Sequence, residues 1–145
     1  MAFYYVKTGG TATGDAGRYA SKQTGSFAGL GAANYYATIT AALAATTAPV
    51  AGDYIVCSHL YDFDNGSGQI GNTFPTGAGV TCMSVDDTAI DSYLAGAKEQ
   101  TNGIILNIGT VKYVGFIHDT GNAISVSSNS HTTYENCTLE LTTRS

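Results

Sequence analysis

Apolar and polar positions alternate in short runs along this chain, and in its last third the runs repeat. Thr101-Asn102-Gly103-Ile104-Ile105-Leu106 returns as Gly121-Asn122-Ala123-Ile124-Ser125-Val126 twenty positions later. Lys112-Tyr113-Val114-Gly115-Phe116 returns as Thr133-Tyr134-Glu135-Asn136-Cys137 twenty-one positions later. Two short strands that recur together at about twenty residues have the spacing of one coil of a β-solenoid. A coil of that length cannot bury its apolar face alone, so coils must stack. Ile104, Leu106 and Ile108 are expected to alternate inward, followed one coil later by Ile124, Val126 and Ser128. Tyr113 and Phe116 are expected over Tyr134 and Cys137, with Gly115 and Asn136 at the bend between them. Asn102 over Asn122 would form an amide ladder at the turn.

Upstream, residues 54–58 and 80–85 read as strands of earlier coils, with a register that stays open because both faces carry apolar or neutral residues. The Gly-rich stretch 62–79 is expected to protrude as a loop, and 86–100 as a second insertion with a helical turn near 90–95. Asn34 can cap a helix over 35–46, with Ile39, Ala42, Leu43 and Thr46 on one face and Pro49 beyond its end. Such a helix suits the cap of a solenoid, since it covers the unpaired edge of the first coil. Residues 3–6 read as an opening strand. The Gly-, Ser- and Ala-rich segment 7–33 reads as an extended arm or loop that contacts something else. The organisation expected is therefore an N-terminal strand and arm over 1–33, then a capping helix and coils over 34–145. The last coil offers no capping segment, so continuation of the chain, trimeric pairing or burial against a partner is expected there.

Composition supports β-structure. Charged residues are 12% of the chain, while hydrophobic residues are 43% and Tyr alone occurs ten times. Low charge with many Gly, Thr, Tyr and Val residues favours strands joined by tight turns over a helical bundle. The net charge is −5 and the basic residues are scattered, which argues against binding nucleic acid through its phosphates. No run approaches the length of a membrane-spanning helix, and the N-terminus carries no recognisable secretion signal. Cys57, Cys82 and Cys137 lack the paired spacing of a zinc site and read as reduced, buried thiols.

Candidate chemistry is thin. Asp62, Asp64 and Asn65 before Gly66 look like a calcium loop, but Thr73 stands at position twelve where a bidentate Glu belongs. A solvated turn is the leading reading there, with a weak ion site as the alternative. Asp86, Asp87 and Asp91 form the densest carboxylate group, yet adjacent residues on an extended chain point to opposite faces and make no obvious glycosidase pair. His59, His118 and His131 have Ser58 and Ser130 near them in sequence, but no nucleophile elbow accompanies them. Neither a catalytic set, a metal site nor a cofactor is expected. Tyr113 and Tyr134 read as a stacked pair, whereas Tyr61 and Phe63, on the expected loop, are the candidates for external contact.

The helix over 35–46, the Ala51-Gly52-Asp53-Tyr54-Ile55-Val56 turn and strand, and the Tyr113 and Tyr134 coils resemble right-handed parallel β-helix proteins of the pectate-lyase-like superfamily. The Thr132-Thr133-Tyr134-Glu135-Asn136-Cys137-Thr138-Leu139 segment carries most of that likeness. The opening, Phe3-Tyr4-Tyr5-Val6-Lys7 before a Gly-rich arm, is similar to openings of bacteriophage virion proteins built on this fold, which serve as tail spikes, fibres and capsid decorations. The lyases of the superfamily use an Arg base; this chain has no Arg between residues 19 and 143. The resemblance thus implies a non-enzymatic structural component of a phage virion, a capsid decoration or a head or tail fibre, with other virion proteins as partners. Attachment is expected through Phe3, Tyr4, Tyr19 and Phe27. A tail spike that binds or cleaves surface polysaccharide is the alternative.

Overall fold

Short runs rich in Val, Ile, Thr and Tyr, closed by Gly, Asn or Asp, become strands in the computed structural model, which describes residues 1–142. Strands make up 44% of the described residues and helices 8%, so the protein is all-β in character. In chain order the elements are β1 (Phe3–Val6), β2 (Arg18–Tyr19), α1 (Phe27–Leu30), α2 (Ile39–Leu43), β3 (Tyr54–Ser58), β4 (Asp62–Asp64) and β5 (Ile70–Thr73). There follow β6 (Val80–Asp86), β7 (Ala89–Tyr93), β8 (Lys98–Thr101), β9 (Ile104–Ile108), β10 (Thr110–Val114), β11 (Ile117–Thr120), β12 (Ala123–Val126), β13 (His131–Glu135) and β14 (Thr138–Leu141).

These strands form three sheets among the described residues. The first has the order β13-β10-β6-β3-β1-β2 with β7 on β6, the second β14-β11-β8-β4, and the third β12-β9-β5. Every pairing is parallel except β1 with β2 and β6 with β7. From β3 onward the chain visits the first, second and third sheets in that order and then starts again, β7 being an extra excursion on the first. Two cores result. The larger lies between the sheets and includes Tyr4, Ile55, Cys57, Cys82, Tyr113 and Phe116. The smaller lies on the opposite face of the first sheet, where Tyr5, Val56, Val85 and Ile90 pack with Phe27 and Tyr35.

The expected Tyr113–Tyr134 pair is present: the two residues are register partners and their rings stack with centroids 5.7 Å apart and planes 11° off parallel. Val114 pairs with Glu135 and Ile117 with Thr138, which sets Phe116 level with Cys137. Gly115 and Asn136 make the bend between them, with φ of 76° and 54°. That left-handed corner is open to Gly and, at modest cost, to Asn.

Other expectations are corrected. On β9 Ile105 and Asn107 are the buried residues, whereas Ile104 and Leu106 are half-buried and Ile108 is 40% exposed. The inward set is thus one residue out from the more apolar one. Asn107 tolerates the interior because Tyr113 donates its hydroxyl to Asn107 Oδ1 at 2.9 Å. The pairings of Thr101 with Thr120 and Ile104 with Ala123 put Asn102 level with Gly121, so the Asn102–Asn122 ladder is also one residue out of register. The stretch 62–79 is not wholly a protruding loop, because β4 and β5 carry it into the second and third sheets. The turn expected at 90–95 is strand β7, paired antiparallel to β6. The helix expected over 35–46 contracts to α2, capped by Thr38 rather than Asn34: Thr38 Oγ1 accepts the Ala41 N–H at 3.0 Å.

The arm over 7–33 is corrected most. Thr11 N–H donates to Ala32 O at 2.8 Å and Ala12 N–H to Tyr35 O at 3.1 Å, closing the segment on itself. Phe27 N–H donates to Asp87 O at 3.0 Å and the Ile90 N–H to Gly25 O at 2.9 Å, tying it to the β6–β7 hairpin. Its aromatic residues find partners within the chain, so a Gly-rich composition does not here mean an unattached segment.

Gly109 shows how tightly the corners approach. Its φ is +91°, and a Cβ there would lie 1.9 Å from Phe74 O. Gly109→Ala is expected to destabilise the fold by about 2–4 kcal/mol, through backbone strain and displacement of the Phe74 peptide. Urea unfolding of the two proteins measures this; a loss below about 0.5 kcal/mol would show that the corner yields freely.

Candidate functional site

The parallel pairing of β1 with β3 and β3 with β6 builds the outer face of the first sheet in columns. Phe3 pairs with Tyr54, and Tyr5, Val56 and Met83 follow one another across three strands. Both faces of β3 are therefore apolar, as suits a strand buried on two sides. The segment before α2 and the β6–β7 hairpin cover part of the outer face and are joined by the Ile90 N–H bond to Gly25 O. Beside that joint lies an apolar groove of about 300 Å³, lined by Met1, Phe3, Tyr54, Val56, Met83, Val85 and Ile90. Lys22 and Asp91 stand at its rim, the Lys22 ammonium donating to the Asp91 carbonyl at 3.1 Å. The Phe3 and Tyr54 rings stack at 5.5 Å and 13°, which gives one wall a fixed aromatic surface.

Of the residues expected to bind a partner, Phe3 alone lines this groove. Tyr19 is half-buried and meets the Tyr5 ring edge-on at 5.5 Å. Tyr4 is fully buried in the chain's own core; its hydroxyl donates to Thr47 O at 2.7 Å and accepts from Arg18 Nε at 3.1 Å. Phe27 is fully buried too, edge-on to Tyr5 and Tyr35. Both are corrections: the aromatic energy expected for a partner is spent inside the fold. Tyr61 is corrected likewise, being 1% exposed with its hydroxyl accepting the Ile39 N–H at 3.3 Å. Phe63 is half-buried against the inner core. The groove residues on β3, β6 and β7 escaped the sequence reading. The signal for them was the two-sided apolar character of β3 and β6.

Asp86 and Asp87 are engaged by neighbouring groups at the β6–β7 turn. Asp86 accepts from the Thr88 N–H and hydroxyl, both at 2.8 Å. Asp87 accepts the Ser58 hydroxyl at 2.6 Å and pairs with Lys7 at 2.9 Å. Burial of Asp87 opposes its ionisation, but the Ser58 and Lys7 bonds and the Lys7 charge outweigh that and hold its carboxyl below the usual range. His59 Nδ1 accepts the Asp87 N–H at 3.1 Å, so Ser58 donates to a carboxylate and not to an imidazole. In the 62–68 turn, Asp62 accepts from Gln100 at 2.7 Å and Asp64 from the Gly66 N–H at 2.9 Å. Among the described residues no three His, Cys, Asp or Glu side chains are placed to hold a metal ion.

A second polar group sits between the sheets. Glu99 and His118 are register partners on β8 and β11, 1% and 0% exposed, with His118 Nε2 3.2 Å from Glu99 Oε1. Asn72, also fully buried, donates its amide to Glu99 Oε2 at 3.2 Å, and Thr40 on α2 donates to Asn72 Oδ1 at 3.2 Å. Burial, with the Glu99 carboxylate adding, pushes the Cys57 thiol and the Tyr61 and Tyr113 hydroxyls well up; Cys82 is raised by burial, then by Cys57 and Glu99. Tyr134 is pushed up to about 12, burial again coming first. Cys57 and Cys82 are free thiols that stay protonated and unreactive.

Compared with protein-family models, with curated proteins and with solved structures, the chain matches none.

Asp87 ties the N-terminal strand's exit to the β6–β7 turn. A carboxyl held low in the folded state stabilises above its unfolded value near 3.9 and stops doing so as pH falls through its folded value. Asp87→Asn is therefore expected to cost about 1–3 kcal/mol at pH 7, with the gap to the parent protein closing below about pH 4. Unfolding titrations at pH 7 and 3.5 measure it, and a gap independent of pH would remove the charge from the account.

Proposed function

We propose that the three sheets are the faces of a short right-handed parallel β-helix, and that the chain is a non-enzymatic structural component of a phage virion attached through its N-terminal region. The fixed order in which the chain takes the sheets supports the β-helix reading. Right-handed crossovers between parallel strands are the strong physical preference, which supports the hand. The virion assignment rests on the resemblance of the opening and the coils to phage proteins built on this fold.

The observation that carries the attachment is the groove beside β1. Its floor is held by paired strands and its aromatic wall by the Phe3–Tyr54 stack, so a docking segment pays little to order this side of the contact. One large apolar side chain of a capsid or tail subunit seated there contributes about 1.5–3 kcal/mol. The Lys22 and Asp91 rim favours a segment that carries polar groups of both signs beside its apolar anchor. The contact is narrower than the arm expected from sequence, because Tyr4 and Phe27 are already committed within the chain.

Incorporation into particles tests both parts. A tagged chain supplied during infection of the phage's host is expected to co-purify with intact particles at fixed stoichiometry. Met83→Asp, which places a charge in the groove, is expected to lower occupancy by about tenfold or more at temperatures where circular dichroism shows the variant folded. Absence of the parent chain from particles would overturn the virion reading. Full occupancy by a folded Met83→Asp chain would overturn the groove as the attachment site.

A further inference from the structure

The three sheets are finished differently at their two ends. At the β4 and β5 end, Thr40 of α2 donates its hydroxyl to Asn72 Oδ1 at 3.2 Å. Beside it, Thr8 Oγ1 accepts the Asp62 N–H at 2.9 Å and donates to Asp62 O at 3.2 Å. At the other end β13, β14 and β12 are, among the described residues, the last strands of their sheets, each paired on one side only.

The backbone bonds fix which residues face that open side. In a parallel ladder a residue turns its N–H and C=O toward the same neighbour, and successive residues alternate. His131 N–H donates to Gly109 O at 3.0 Å and Glu135 O accepts the Gly115 N–H at 2.9 Å. His131, Thr133 and Glu135 therefore turn toward β10, and Thr132 and Tyr134 toward the open edge. Thr138 N–H donates to Phe116 O and Thr142 N–H to Thr120 O, both at 2.9 Å, which leaves Leu139 and Leu141 open on β14. Ser127 N–H donates to Asn107 O at 3.3 Å, which leaves Ile124 and Val126 open on β12. Register turns the side chains of these same residues inward, with Tyr134 over Tyr113, Leu139 over His118 and Val126 over Asn107. Val126 is nevertheless 41% exposed, Leu139 51% and Leu141 71%. Unused backbone groups and an apolar layer thus coincide, which is a surface that another row of strands covers.

We propose that this edge is an isologous interface, and that two copies of the chain join end to end through β13 of each. A two-fold axis through Thr133 pairs the two β13 strands antiparallel, and Thr132 of each copy exchanges both backbone bonds with Tyr134 of the other. That register uses every open backbone group of both strands. It also sets His131 of each copy opposite Glu135 of the other, an imidazole N–H donor against a carboxylate, both on the exposed face. With the three sheets as faces of a β-helix, the same axis lays β14 of one copy against β12 of the other. Leu139 then meets Val126, Leu141 meets Ile124, and Glu140 stands opposite Ser125, so no two carboxylates oppose each other. This last step rests on the β-helix reading; the β13 pairing needs the first sheet alone and is independent of the virion reading.

The full chain tests it. Sedimentation at about 100 μM is expected to give the mass of two chains, and a single chain or a trimer there would overturn the proposal. On the axis Thr133 faces its own copy as a non-hydrogen-bonded pair, with Cα atoms about 4.5 Å apart, within the span of a disulfide. Thr133 is exposed, so Thr133→Cys is expected to form a covalent dimer with diamide, which takes up the two protons and two electrons that the thiols lose. The parent, with Cys57 and Cys82 buried and Cys137 half-buried, is expected to stay unlinked. Equal linking of the two proteins would overturn the register, and because β13 alone is read, this result stands apart from the β-helix reading. Thr132→Pro removes an N–H that faces the open edge, where proline is tolerated in a strand. A Thr132→Pro chain whose circular dichroism matches the parent is expected to sediment as a single chain. A dimer of undiminished affinity would overturn the open edge as the interface.

Discussion

Parallel pairing at a fixed register is the interaction on which the other features depend. Once Ile55, Cys82, Tyr113 and Tyr134 stand in one inward column, each strand's facing is set for its whole length, because a slip of one residue would turn every side chain over. The Tyr113–Tyr134 ring stack joins the last two strands of that column. Corners such as Gly115 and Asn136 let the chain leave one sheet and enter the next without breaking the register, and both take the left-handed conformation at the same level of neighbouring strands.

The same pairing gives the first sheet two buried faces. Its inner face joins the common core; its outer face needs separate cover, which the segment before α2 and the β6–β7 hairpin provide. That cover explains why a stretch poor in regular structure is nevertheless packed, with Phe27 at its centre. Beside the line where the two covering pieces join, the outer face stays open as the groove along Phe3, Val56 and Met83. The proposed attachment and the architecture thus share one origin: an outer sheet face that the chain covers incompletely.

The inner core is not uniformly apolar. Glu99, His118, Asn72 and Asn107 form a polar layer enclosed by aromatic and sulfur-bearing side chains. Such a layer carries a desolvation cost, but it also penalises alternative stackings, since any shift of one strand against its neighbour would part Glu99 from His118 and from Asn72.

Much of the strand pattern was legible in the sequence. Residues 54–58 and 80–85 declared themselves through β-branched and aromatic composition and the Tyr113/Tyr134 strands through their repeat, because those signals are local. The facing of β9 was not legible: Ile104, Leu106 and Ile108 are the more apolar set, and only the hydroxyl of Tyr113, a strand away, makes Asn107 the inward residue. The arm was misread for a related reason, since Gly-rich composition reports backbone freedom and says nothing of the aromatic surface waiting across the sheet. The sequence by itself determined that strands form and that the last of them repeat. The tertiary structure decided which face each strand buries, which aromatics are consumed within the fold, and that Glu99 meets His118, because those outcomes depend on pairings between residues far apart in the chain.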